Sequence, residues 1–229
     1  MTRSEVPRQL VHIAVGAIAL SLRFLTWPQA AAMAVAAVLF NLFVLPRLTH
    51  RVFRPGDLDH PWTSGIVIYP LAVLGLIFIF RERLDLAAAA WGILAAGDGM
   101  ATLVGTAVRS PRLPWNPDKS VAGLTAFIVA ASLASVGLLL WTTGGVATTP
   151  LWWAVAASVV AGLVETIPIR LDDNVSVPLA AACVLWSSTL IDPQAVAARV
   201  PALAGEAAVA IGANGAVALA GLLARTVTA

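Results

Sequence analysis

LAAAAWGILAAGDGMATLVGTAV, residues 86–108, decides the fold. An α-helix crosses a bilayer with roughly 20 apolar residues, and this run is that long with one charged residue, Asp98, inside it. Seven further stretches have the same character, at about 8–25, 28–46, 64–80, 121–141, 150–167, 177–191 and 203–224. Polar, proline-marked breaks separate them, and proline stops a helix because it lacks an amide proton and clashes with the preceding turn. The composition agrees. Hydrophobic residues make up 59% and charged residues 11% of the 229 residues, against about 25% charged in a typical soluble domain. The expected fold is an all-α, polytopic membrane bundle of about eight spans, forming one domain over 1–229. The first apolar stretch has no small-residue cleavage site and reads as a retained span.

Other classes are set aside by what is missing. The net charge of +2 comes from scattered basic residues, which gives no nucleic-acid footprint. Cys183 is the only cysteine, so there is no disulfide framework. Three histidines far apart do not make an ordinary zinc site. No internal repeat supports an inverted-repeat transporter.

Eight spans put both termini on one side, together with the loops 47–63, 109–120 and 168–176. That side holds Arg3, Arg8, Arg47, Arg51, Arg54, Arg109, Arg112, Lys119, Arg170 and Arg225; the other holds Arg23, Arg81, Arg83 and Arg199. The positive-inside rule makes the first side cytosolic. Tryptophans sit as interface anchors, Trp27, Trp141, Trp152 and Trp153 at the far side and Trp62 and Trp115 at the cytosolic one.

Four groups of polar residues need an account. Asp98 stands in Gly97-Asp98-Gly99 inside a span, where a carboxylate costs at least ~2.5 kcal/mol, so it reads as a cation or proton site. The flanking glycines admit a close neighbour; the plainer alternative is small-residue helix packing along Gly97, Ala101 and Gly105. The loop RSPRLPWNPDKS (109–120) is basic and ends in Lys119-Ser120 at the start of a span. A helix start favours anions through its backbone amides, and a lysine there adds a point charge suited to phosphate. A stiff turn with ordinary positive-inside charge reads equally well. The segment ETIPIRLDDNVSVP (165–178) gathers Glu165, Asp172, Asp173 and Asn174, hard oxygen ligands of the kind that hold magnesium beside substrate phosphates; the alternative is a solvated helix cap. Arg8 and His12 lie one turn apart on one face of the first span, and Asp57, Asp59 and His60 sit in the 47–63 loop.

The segments GDGMATLVG (97–105), LPWNPDKSVAG (113–123) and LVETIPIRLDDNVSVPL (163–179), with RQLVHIAVG (8–16) and GIVIYPLAV (65–73), resemble the dolichol, phytol and farnesol kinase family. The resemblance covers about 8–192. It departs at Gln9, where the family often has a second basic residue. The chain is short for a dolichol kinase, which favours the phytol or short-prenol branch, or a bacterial relative. What the resemblance implies is an integral membrane enzyme that phosphorylates an isoprenoid alcohol, with a nucleoside triphosphate (commonly CTP) as donor and Mg2+ as cofactor. On that footing Asp98, Asp172 and Asp173 are the expected magnesium ligands, with Asp98 alternatively the base. Lys119, Asn116 and Ser120 are expected on the donor phosphates, and Asn174 is expected to orient a phosphate or a metal-bound water. The catalytic set is Asp98, Lys119 and Asp173. The partners are the alcohol, the nucleotide and membrane lipid; self-association is left open. A CTP-dependent cytidylyltransferase, a diacylglycerol kinase and a lipid or ion transporter are the competing readings.

Overall fold

The computed structural model describes residues 5–49, 53, 62, 64–146, 148–168 and 171–191, with the backbone alone at 5–7. The expected last span, with Glu206 and Asn214, lies outside the described residues, as do Asp57, Asp59 and His60. The chain divides into two compact units, 1–186 and 187–229. The first carries every element of the site. Of the second, the described residues 187–191 are the end of the last helix and the residue after it.

Helix α1 (Glu5–Gly16) runs into a 3₁₀ segment (Ala17–Arg23). Helix α2 (Trp27–Leu39) starts where the Thr26 amide and hydroxyl both donate to Gln29 Oε1 at 2.9 Å, and Pro28 occupies the first turn, where no amide is needed. It continues through a π-helical turn (Phe40–Val44) into the short α3 (Leu45–Leu48). Helix α4 (Gly65–Ile79) follows. Then α5 (Leu84–Gly92), a second π-helical turn (Ile93–Asp98) and α6 (Gly99–Ala107) form one continuous rod. A two-stranded hairpin of β1 (Arg112–Leu113) and β2 (Asn116–Ser120) leads into α7 (Val121–Thr142), then α8 (Trp152–Glu165) and α9 (Asp173–Leu190).

The described residues bear on two expectations. Among the described residues, three helices are long and apolar enough to cross a membrane: Trp27–Leu48, Leu84–Ala107 and Val121–Thr142. Gly65–Ile79 and Trp152–Glu165 are apolar but shorter, and they match the expected runs 64–80 and 150–167 to within two residues at each end. The fold is also not purely helical. In the 109–120 loop Pro114 and Trp115 reverse the chain, and the antiparallel strands pair Arg112 with Ser120 and Leu113 with Asn116. Pro117 is tolerated because a two-stranded ribbon has only edges.

The Leu84–Ala107 rod is the centre of the bundle. Two thirds of its most apolar window is buried, 67% against 33% for Val121–Thr142 and 17% for Trp27–Leu48. That explains its alanines: Ala87–Ala90 are all buried, and a methyl side chain lets neighbouring helices approach. The outer faces are apolar too. Phe78, Leu133 and Leu179 are all more than half exposed, a pattern that suits lipid as the surrounding solvent. At one end of the bundle the α6–α7 and α8–α9 connections meet, where Trp115 and Asn116 bond to Thr166. At the other end Arg83 ties Asp85 to Thr148 and Thr149, and the Arg23 guanidinium lies 4.7 Å from the Trp141 ring centre.

Candidate active site

Asp98 is placed by the glycines on either side of it. A Cβ on Gly97 would meet Phe127 Cζ of α7 at 2.7 Å, and one on Gly99 would overlap Ile13 of α1. Small residues therefore let two helices press against the rod where the carboxylate sits. The stripe Gly97, Ala101, Gly105 does pack on α7. Gly105 and Gly123 are so close that a Cβ on either would lie 3.3 Å from the other's Cα. The rod is not broken at Asp98. Its backbone is helical (φ −62°, ψ −43°) and the preceding turn is widened to π geometry, a distortion frequent at functional sites.

Three carboxylates converge at that point. One oxygen each from Asp98, Glu165 and Asp173 lie within 4.8 Å of one another. They come from three elements: the central rod, the last residue of α8 and the first residue of α9. Lys119 enters from β2 and its Nζ donates to Glu165, with Asp173 Oδ2 at 3.4 Å. Burial works against charge on Lys119, but Glu165 and Asp173 outweigh it and hold the ammonium pKa above the usual lysine value. His12 approaches Asp98 from α1, with Nε2 3.6 Å from Oδ2 and 3.5 Å from the Leu94 carbonyl. The ring is set edge-on to Tyr69 at 4.6 Å, and Tyr69 in turn accepts from Trp91 Nε1 at 2.8 Å.

Glu165 is the member that the sequence places among the candidate oxygen ligands but outside the expected magnesium set. The signal was present, an acid at the end of an apolar run, but its ion pair with Lys119 spans 46 residues. Asp172 lies outside the set of three. Its Oδ1 accepts from the amide and the Nδ2 of Asn174 at 2.9 and 2.8 Å, which ties it to the start of α9. Asn174 lines the same cleft, and its buried Oδ1 has no hydrogen-bond partner among the described residues.

Asn116 and Ser120 are occupied structurally. Asn116 Nδ2 donates to the Thr166 carbonyl at 2.9 Å, and its Oδ1 accepts from the Asp118 amide at 3.1 Å. Ser120 Oγ accepts from Gly123 N, Ser110 Oγ accepts from Ala122 N, and the Pro111 carbonyl accepts from Val121 N. The first three amides of α7 thus already have partners, so the anion-binding helix start expected from sequence is capped by its own loop. The side chains carry the positive charge instead. Lys119, Arg109 and Arg112 line a cleft of about 560 Å³ with Glu165 at its wall. A second cleft, about 440 Å³, holds Asp98, Asp172, Asp173 and Asn174, and Lys119 borders both.

The residues suit a hard divalent cation. Three oxygen donors from separate elements meet at one point, which is the ligand chemistry of magnesium, and the Lys119 ammonium offsets part of their charge.

The chain is 32% identical over 200 residues to a probable phytol kinase 2, chloroplastic, of Oryza sativa subsp. japonica, covering 76% of this chain and 63% of that one. It is 31% identical over 202 residues to phytol kinase 1, chloroplastic, of Arabidopsis thaliana, covering 78% and 64%. A farnesol kinase, chloroplastic, of Arabidopsis thaliana is 29% identical over 201 residues, covering 76% and 62%. The chain spans just under two thirds of the length of these relatives. No family model matches the chain, and no solved structure does.

Proposed function

We propose, from its likeness to phytol and farnesol kinases, that this chain is a membrane-embedded kinase transferring the γ-phosphoryl group of a nucleoside triphosphate, CTP by preference, to an isoprenoid alcohol. One observation carries the reading. Asp98, Glu165 and Asp173 converge with Lys119 at the border of a basic cleft.

Phosphoryl transfer needs positioning and charge neutralisation more than covalent chemistry from the protein. Lys119, Arg109 and Arg112 give the donor polyphosphate its counter-charge. Asp98, Glu165 and Asp173 would hold magnesium, which when bound offsets the phosphate charge. Alternatively, Asp98 would take the alcohol proton. Glu165 keeps Lys119 extended across the site, and the hairpin carrying Lys119 is pinned to the end of α8 by Trp115 and Asn116.

The bundle is read as polytopic, with the hairpin and the α8–α9 turn facing the cytosol under the positive-inside rule. Purified protein in detergent, given phytol or farnesol and γ-labelled CTP, should yield labelled alcohol phosphate and unlabelled CDP. Release of pyrophosphate with no labelled lipid would instead mark attack at the α-phosphorus, and the kinase reading would fall.

A further inference from the structure

We propose that the groove between α1 on one side and α3 and α4 on the other seats the chain of a single-chain lipid alcohol, with the hydroxyl delivered to Asp98 on its floor. This rests on the kinase reading above and assigns the acceptor a place and a set of contacts.

The groove is built by helical spacing. Arg8, Val11, His12 and Val15 recur at i, i+3, i+4 and i+7 and line it together, so one face of α1 forms a wall. Leu45 of α3 and Ile66 of α4 stand opposite. Asn41 Nδ2 donates to the Ile66 carbonyl at 2.7 Å and joins the bent α2–α3 rod to the first turn of α4. The floor is polar: Asp98, Lys119, Asp173 and Asn174.

The polarity is graded along the groove. Gln9 faces Gly99 and Gly16 faces Ala95, which fixes α1 antiparallel to the central rod. Arg8 therefore lies toward the hairpin end, and Val15 lies deeper between apolar helices. A molecule that fits must bring a small polar head to the charged floor and an apolar chain past Val11, Val15, Leu45 and Ile66. Val11 is exposed in the wall and carries its methyls into the opening. At about 440 Å³ the space is near the small end of ligand pockets, roughly 300–1,000 Å³, and suits one chain better than two. The basic cleft that shares Lys119 has a thinner apolar lining, Ala101, Val108 and Leu124, beside Arg109, Ser110 and Arg112. The two substrates would then meet at the carboxylates from opposite sides, as in-line transfer requires. His12 is a positioning residue in this arrangement, held by Tyr69 beside the Asp98 oxygen that would face the hydroxyl.

The test is photolabelling of the full chain in nanodiscs with a diazirine-bearing farnesol analogue, without nucleotide. Label should fall on the peptides 8–16 and 65–73 and be displaced by excess phytol. Val15→Trp and Leu45→Trp should each raise KM for phytol about tenfold, since each blocks a few methylenes of burial, and leave KM for the nucleotide unchanged. Label spread over the outer face of α7 and indifferent to phytol would overturn the assignment. So would tryptophan variants with the parent's KM for phytol. The two readings fail separately. Displaceable label in the groove with no transfer from any nucleotide would refute the kinase and keep the groove. Transfer with label elsewhere would refute the groove and keep the kinase.

Discussion

Lys119 on β2 and Glu165 at the end of α8, 46 residues apart in the chain, form an ion pair in which the carboxylate is almost wholly buried. Losing one partner of a buried pair costs about 3–5 kcal/mol, because the other charge is left without compensation. Lys119 is about one third exposed, so Lys119→Met should destabilise by about 3 kcal/mol, the low end of that range. Lys119→Met combined with Glu165→Gln should recover most of it, as read by thermal unfolding in detergent. Sole loss on the double variant, with no recovery, would mean that Lys119 acts through packing.

The pH dependence has a definite sign on the Lys119 side of that pair, whereas at Glu165 burial outweighs the lysine and holds the carboxyl pKa above its usual value. The folded pKa of Lys119 is raised, so its contribution is fully present below the unfolded value near ~10.4. It is lost only as pH rises through the higher folded value. The stability gap between parent and Lys119→Met should therefore stay flat between pH 7 and pH 10 when unfolding is followed at each pH. A gap that closes by pH 9 would contradict the electrostatic account.

Asp98→Asn keeps the size of the side chain and removes its charge. Transfer should fall by about a hundredfold or more, at ~1.4 kcal/mol per decade, while the protein still extracts and elutes as the parent does. Activity within a few-fold of the parent would reduce Asp98 to a packing residue between α1 and α7.

The two neighbouring acids should behave differently. Asp173 belongs to the set of three carboxylates, whereas Asp172 is tied to the Asn174 amide and side chain. Asp173→Asn should raise the magnesium concentration for half activity about tenfold, the loss of ~1.4 kcal/mol of binding. Asp172→Asn should leave that midpoint near the parent's and lower stability instead. A magnesium titration at saturating CTP separates them, and equal shifts in both would reject the division of roles.

Gly97 tests the packing that places Asp98. A Cβ there would meet the Phe127 ring at 2.7 to 2.9 Å, and overpacking of a core typically costs 1–3 kcal/mol. Gly97→Ala should lose activity and stability together, and Phe127→Leu in the same chain should restore both, measured by melting temperature and initial rate. Restored stability without restored activity would assign Gly97 a role beyond making room.

Part of the candidate site is legible in the sequence. Asp98 stood out because an acid inside an apolar run is costly, and Lys119 and Asp173 because they lie in polar breaks at span ends. Glu165 stands only among the candidate oxygen ligands, since nothing local distinguishes a helix-end acid that pairs with a distant lysine from one that caps a turn. Asn116 and Ser120 were read as phosphate contacts because their side-chain chemistry permits it. The hairpin and the start of α7 use them first, and hydrogen bonds to Thr166 and Gly123 are visible only when the chain is folded back.

By itself the sequence determined the solvent and the character of the bundle: length and apolarity place helices in lipid, since backbone groups there must be satisfied within the helix. It also singled out the polar residues that an apolar run does not explain. Only the tertiary structure decided which of them meet. The convergence of Asp98, Glu165 and Asp173 depends on where α6, α8 and α9 begin and end relative to one another. That is set by the glycine-mediated contact of α6 with α7 and by the hairpin docked on Thr166. Those are long-range contacts between residues with no local pattern in common, so their partners cannot be read from either segment alone.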